Sequence, residues 1–414
     1  MINIVQIQLS GKSAGSSAVR LHEGFQSQTG ISSAIVSLVE DSHKPQNVTY
    51  LSRLAQVRAL VSNKMESRKI SYDSSRFGLY SYPILGTDIS RLKVIRQADV
   101  IYIHWVQMGF MNFRTLKKLF RLNKKIFIVL HDMWFMTGGC HYAVNLGNKQ
   151  CDGYERDCTN CPIFGNYESP ASIQLKTKLD LIAKFGSKLE FISPSKWLKQ
   201  LGEKSSILKD HKIHFIPNYF KSKNFRPASQ RISREVLGIK PDKRVVCFGA
   251  VNISSVYKGW DFLKKAFVHL SDMYSYEQLE VVIFGKGDIQ EFKSSIPFKI
   301  HYLGFLDEED KISLAYKSSD VFVIPSILDN QPTTIAESMH CGVPVVGFDL
   351  CGIPEMISHK KTGYVAEPYN SYDLAKGIQY CLQHDLSGSL KAEYADGNIL
   401  NAHFKLFSVH GLSY

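Results

Sequence analysis

Short apolar runs recur along the chain, separated by longer segments of mixed, helix-period sequence, and this alternation predicts strands joined by helices. In the first half the strand-like runs fall at residues 3–8, 34–39, 99–104, 126–130, 190–193 and 214–217. In the second half they fall at 245–250, 280–285, 300–304, 320–325 and 343–348. Such alternation argues for parallel sheets wrapped by helices, so the expected fold class is α/β, built as two similar halves without a sequence repeat. A polar, basic stretch separates the halves. The expected domains are 1–218, a linker at 219–231, a second domain at 232–385 and a tail at 386–414. Residues 401–414 are short for a closing helix and Gly411 would weaken one, so the tail is expected either to be loose or truncated or to pack back on the first domain.

Composition adds limits. A chain of 414 residues exceeds what one core usually supports, and 44% hydrophobic with 21% charged content is that of a globular protein. No stretch approaches the ~20 apolar residues of a membrane span. Residues 1–10 alternate like a strand and lack a basic start, so no signal peptide is evident and a cytoplasmic location is expected. The net charge of +12 asks for an anionic partner: nucleic acid, acidic lipid or a diphosphate ligand. No base-stacking or groove-reading motif accompanies it, which argues against nucleic acid.

The chemistry concentrates in residues 325–355, PSILDNQPTTIAESMHCGVPVVGFDLCGIPE. A buried strand at 320–325 precedes it, Pro332 suits the first turn of a helix carrying Ile335, Glu337, Ser338 and Met339, and a second strand runs into Gly352. The amides around Gln331, Thr333 and Thr334 then point out of a helix N-terminus, where the helix dipole favours a phosphate. Asp329 and Glu337 flank that spot with seven residues between them. A lone acid in either place is more often a turn former or a solvated helix residue, so the weight rests on the whole pattern.

Two acids at this spacing, followed by a Gly-x-Pro-Val-Val strand and a Gly-Ile-Pro-Glu turn, resemble the donor-binding signature of retaining glycosyltransferases of family 4. The chain looks like a bacterial polysaccharide member. In that family the first acid, usually Glu, holds hydroxyls of the donor sugar and the second holds the nucleotide ribose. The resemblance gives these roles to Asp329 and Glu337. It also implies the GT-B fold, two Rossmann-like domains facing each other across a deep cleft, with acceptor bound by the first and nucleotide sugar by the second. The phrase FIPNYFKSKNFRP resembles the family's interdomain connection, and family members close with a helix that crosses back to the first domain.

Other positions follow from the same resemblance. In 245–263, VVCFGAVNISSVYKGWDFL, the Lys258-Gly259 pair matches the family's Lys-Gly, and Lys258 is the expected stabiliser of the departing diphosphate. The family's Arg a few residues earlier has no counterpart. Gly249 and Gly285 are expected near the donor, Gly285 in a strand-end turn beside the base. Gly15, in GKSAGSSAVR at 11–20, matches a glycine-rich loop against the donor phosphate, although it is equally readable as a plain connection and is not a Walker loop. His104 and His131 close two strands at the carboxyl edge where active-site groups collect. His131 is expected to contact the transferring sugar, His104 to lie on the acceptor side, and Asp132 to orient them. A lone strand histidine is more often a satisfied core residue.

Cys140, Cys151, Cys158 and Cys161 fall in one loop, an insertion at 138–162, and four thiolates suit a tetrahedral structural zinc; disulfides and buried free thiols are the alternatives. In the segment 110–125, Arg114, Lys117, Lys118, Arg121 and Lys125 share a face opposite Phe113, Leu116 and Phe120. Such a helix could rest on the anionic inner face of the plasma membrane, against the plainer reading of a surface helix with its apolar side in the core.

The expected function is a retaining transfer of a hexose-type sugar from a nucleotide diphosphate sugar to a lipid-linked oligosaccharide in exopolysaccharide, capsule or O-antigen (lipopolysaccharide) biosynthesis, with no cofactor needed for catalysis. The alternatives are a non-catalytic nucleotide-sugar-binding module, which the missing Arg favours, and a same-fold nucleotide-sugar epimerase, which should carry extra acids at the sugar centre.

Overall fold

The computed structural model describes residues 1–12, 16–40, 45–74, 78–145, 149–165, 169–220 and 224–411. The chain divides into two compact units, Met1–Tyr219 with Asp396–Tyr414, and Phe220–Ala395.

The first unit is built on a sheet of β1 (Ile2–Gln8), β2 (Ile31–Ser37), β3 (Val48–Tyr50), β4 (Val100–Ile103), β5 (Lys125–Val129), β8 (Leu189–Ser193) and β9 (Ile213–Phe215). A short antiparallel pair, β6 (Val144–Asn145) and β7 (Lys149–Gln150), lies in the cysteine-rich insertion. The large sheet is parallel throughout, in the order β3-β2-β1-β4-β5-β8-β9. Side chains alternate across it with period two. Ile101 and Ile103 of β4 enter one core with Val5, Ile7, Ile126 and Ile128, while Val100 and Tyr102 enter another with Ile4, Phe127 and Phe25.

The second core is completed by the chain's last helix, Asp396–Val409, whose Ile399, Leu400, Phe404 and Phe407 are buried in it. Phe407 packs its ring 5.8 Å from Phe25, and His403 Nδ1 meets the Tyr102 hydroxyl at 3.0 Å. Burying a phenylalanine to this extent is worth about 1.5–3 kcal/mol. The tail is therefore not loose: an apolar stripe in 396–409 anchors it, and Gly411 lies beyond the helix end.

The second unit carries a six-stranded parallel sheet of β10 (Arg244–Asn252), β11 (Leu279–Lys286), β12 (Lys299–Tyr302), β13 (Val321–Ile324), β14 (Val345–Phe348) and β15 (Gly363–Ala366), ordered β12-β11-β10-β13-β14-β15. Helices Trp260–Ser271 and Ser371–Gln383 cover one face with Leu263, Phe267, Leu374 and Ile378 against Val246, Phe248, Ile283, Val323 and Val346. The expected α/β class with two parallel sheets holds.

Each strand order doubles back once, between β1 and β4 in the first sheet and between β10 and β13 in the second. Neighbouring strands at such a switch point send their connections in opposite directions, which leaves a crevice at their carboxyl ends. The candidate site residues follow those ends.

Candidate functional site

In the second unit, β10 leads through residues 253–259 into helix Trp260–Ser271, and β13 leads through residues 325–332 into helix Thr333–His340. The two loops touch. Ile327 N donates to Tyr257 O at 2.9 Å, and a Cβ on Gly259 would stand 1.9 Å from Pro325 O. Gly259 also has φ +67°, so both the close approach and the left-handed backbone exclude a side chain there. This contact brings Lys258 onto Asp329: Nζ donates to Oδ2 at 2.8 Å, with the lysine 34% and the carboxylate 18% exposed. Gly352 N donates to Asp329 O at 3.2 Å, tying in the turn after β14.

Helix Thr333–His340 starts at Pro332, which offers no side-chain cap; Ile335 N donates to Pro332 O at 3.2 Å, and the amides of Thr333 and Thr334 precede it in the first turn. Thr333, Thr334 and Gln331 are half-buried at this end. Glu337, one turn on, is buried and accepts from the Tyr316 hydroxyl at 3.0 Å. Burial, and then the Glu337 charge, push the Tyr316 hydroxyl far above its usual range, so it stays a donor. Glu337 is thus no solvated helix residue. Its partner Tyr316 carried no signal in the sequence.

Gly285, one residue before the end of β11, has φ +131°; a Cβ there would meet Ala250 O at 1.8 Å, and its carbonyl accepts from Tyr302 Oη at 2.7 Å. Gly249 lies within buried β10, and a Cβ there would fall 2.1 Å from the Phe284 ring; its missing side chain serves strand packing. Gly15 lies outside the described residues.

In the first unit, three adjacent strands supply one chain of polar groups. His104 follows β4 and His131 follows β5, and their rings stack at 5.2 Å with Nδ1 of His104 and Nε2 of His131 2.9 Å apart. Gln6 of β1 places Oε1 at 2.6 Å from His104 Nε2. With the amide so oriented, His104 donates through Nε2, its Nδ1 accepts, and His131 donates through Nε2. Burial holds His131 down to about 4 against the opposing pull of Asp132, and holds His104 lower than usual as well. Both rings are neutral at pH 7.

Asp132 does other work than expected. Its oxygens accept from Trp105 Nε1 at 2.8 Å, Trp134 N at 2.8 Å and His141 Nδ1 at 2.6 Å, and Ser81 Oγ meets His141 Nε2 at 2.9 Å. Burial acts to raise its pKa, but His141 and these donors outweigh it and the carboxyl stays below its ordinary range. Asp132 therefore locks the loop after β5, and His104 with Gln6 orients His131.

Cys140, Cys151, Cys158 and Cys161 are free thiols lining one cavity of about 480 Å³. Among the described residues no group of three or more His, Cys, Asp or Glu is arranged to hold a metal ion, so the expected tetrahedral zinc site is not assembled. Burial pushes Cys140 well up and Cys158 to about 12, with neighbouring thiols adding to the rise. Lys178 lies close by, donating to Trp134 O and, at 2.9 Å, to Thr137 O, with Nζ 3.8 Å over the Trp134 ring. Burial lowers this ammonium to about 7 although Cys158 and Cys140 oppose it. Lys178 was missed by sequence reasoning, yet it occupies the apolar stripe Ala171, Leu175, Ile182 of its helix, a signal that a buried role was required.

Helix Phe113–Phe120 buries Leu116, Leu119 and Phe120 in the core and turns Arg114 and Lys118 outward, which is the plain surface helix. No helix of the described residues is long and apolar enough to cross a membrane.

Residues 242–384, covering the Lys258–Asp329 pair and Glu337, match the family described as Glycosyl transferases group 1. An uncharacterized glycosyltransferase of Haemophilus influenzae is 26% identical over 132 residues, 31% of this chain and 37% of that protein. O-antigen chain mannosyltransferase B of Escherichia coli is 35% identical over 86 residues, 21% of this chain and 22% of that protein. The matched stretches thus span well under half the length of these curated relatives. Over the whole chain, the crystal structure of Anabaena Alr3699/HepE in complex with UDP and glucose is similar with a TM-score of 0.59 at 16% identity, covering 99% of this chain and 100% of that one. The fold is that of the two-domain GT-B structures.

Proposed function

We propose, from the match of residues 242–384 to the group 1 glycosyltransferases, that this chain is a glycosyltransferase whose donor is a nucleotide diphosphate sugar. The observation that carries the reading is the Lys258–Asp329 ion pair at the carboxyl edge of the switch-point strands, beside the uncapped start of helix Thr333–His340.

The geometry suggests an exchange of partners. Without donor, the ammonium is neutralised by Asp329. A diphosphate seated on the amides of Thr333 and Thr334 gives Lys258 a stronger anion, so the lysine turns to the leaving group and Asp329 is freed for hydroxyls of the sugar. Glu337, held by Tyr316, accepts from the ribose, and Gly285 admits the base. As the anomeric C–O bond to the diphosphate breaks, charge grows on the leaving oxygens and Lys258 stabilises it. The acceptor hydroxyl forms the new C–O bond and its proton passes to the diphosphate, a front-face course that retains configuration and asks for no protein nucleophile. In this reading His131 addresses the transferring sugar and His104 the acceptor, and catalysis rests on alignment and electrostatics. A hexose-type sugar and a lipid-linked bacterial surface glycan are the proposed substrates; the sequence similarity to the O-antigen enzyme supports that choice.

The test is release of nucleoside diphosphate from a panel of UDP-, GDP- and other nucleotide sugars with membrane lipid extract as acceptor, run beside Asp329→Ala and Glu337→Ala. Lipid-dependent release from one donor, lost in both variants, supports the reading. Release that survives both substitutions refutes the site.

A further inference from the structure

Helix Arg53–Lys69 presents two unlike faces. Inward, Ala55, Ala59 and Ser62 are buried, and Glu66 Oε1 accepts from Tyr82 N at 2.6 Å. Burial lifts the Glu66 carboxyl to about 7. Outward, Leu54 is 78%, Val57 53%, Leu60 68%, Val61 46% and Met65 41% exposed. At about 3.6 residues per turn, Val57, Val61, Leu54 and Met65 form one stripe roughly a quarter of the circumference wide. Arg53 and Lys64 run along one edge of it, Arg58 and Lys69 along the other, and Arg68 falls within it; all five are exposed. Glu66 is the helix's sole acid and faces inward, so the charge offered outward is entirely positive.

We propose that this outer face docks the first unit on a bilayer of anionic lipid. Isolated exposed apolar residues need no explanation, but a stripe of four on one helix does. Flanking cations on long aliphatic stems reach phosphate headgroups while the stripe between them enters the acyl boundary. A second copy of the chain fits worse, because an isologous contact sets the same five bases against themselves. The helix is distinct from Phe113–Phe120, whose apolar side is spent in the core. The proposal goes beyond sugar transfer and stands without it, though a lipid-carried acceptor would gain a surface by it.

The experiment is sedimentation of the full chain with vesicles of phosphatidylcholine alone and with about one-third phosphatidylglycerol, in low and high salt. Binding to the anionic vesicles only, weakened at least about tenfold by high salt, is expected. A Leu54→Gln/Val57→Gln/Val61→Gln variant and an Arg58→Glu/Lys64→Glu variant should each lose about tenfold or more while keeping the thermal melting and nucleoside diphosphate affinity of the parent. Equal pelleting of parent and both variants overturns the proposal. So does a concentration-dependent dimer abolished by the apolar variant, which would identify a second copy as the occupant. Loss of nucleotide binding in the parent would count against the donor site and leave this result to be read by itself.

Discussion

The two carboxyl-edge constellations of this chain are opposites in physical character. In the second unit, Lys258 and Asp329 form a half-exposed ion pair between two loops, a contact that solvent or ligand can replace at little cost. In the first unit, Gln6, His104 and His141 are buried and His131 and Asp132 partly so, all held by side-chain hydrogen bonds, and burial keeps His104 and His131 neutral. One arrangement is built to exchange partners. The other is built to hold one geometry. Recognition of a charged donor calls for the first kind and positioning of neutral hydroxyls for the second.

Substitution of the two aspartates should separate them most sharply. Asp132→Ala strips a buried carboxylate from His141, Trp105 and Trp134 and should cost about 3–5 kcal/mol of stability by denaturant unfolding. Asp329→Ala should cost no more than about 1 kcal/mol while abolishing turnover. Equal destabilisation by the two would erase the contrast. Lys258→Ala, with the fold intact, should lower turnover by about 10²–10³-fold, or about 2.7–4 kcal/mol, in a steady-state assay.

Acidity should act through the first unit. The unfolded chain protonates its histidines near 6.5, whereas folded His131 resists to about 4 and His403 to about 3, both because of burial. Between those values the unfolded state binds more protons, so the contribution of these two histidines to stability falls as pH falls below about 6.5, with His131 alone losing about 3 kcal/mol by pH 4. Melting temperature against pH for the parent and His131→Phe measures this; an unchanged slope in the variant would remove His131 from the account. The smallest effect is expected for Glu337→Gln, which keeps the shape and weakens donor affinity about tenfold to a hundredfold by calorimetry.

The same contrast explains what was legible in the sequence. The proposed donor side is a contiguous strand-turn-helix-strand, so Asp329, Pro332 and Glu337 stand in one readable stretch and Lys258-Gly259 in another. What the stretch omits is reached only through the fold: Tyr316 comes from a neighbouring helix, and Gly249 proves to be occupied with Phe284. The histidine side is assembled from β1, β4, β5 and the insertion, so His104 and His131 were visible as strand ends while Gln6 had no local mark and Lys178 showed only as a base in an apolar helical stripe. The parallel sheets were legible because their central strands are long apolar runs. Edge strands β3 and β15 escaped because they are short and only partly buried, and the tail helix because one glycine outweighed its Phe404 and Phe407.

Isothermal titration of a nucleoside diphosphate series into the full chain and into Lys258→Ala, at pH 7 and moderate salt, tests the donor site most directly. The account predicts saturable binding of one diphosphate by the parent, little binding of the matching nucleoside, and affinity at least about tenfold weaker in the variant. Equal affinity in parent and variant would mean that the ammonium on Asp329 never meets the diphosphate, and the proposed exchange would be wrong.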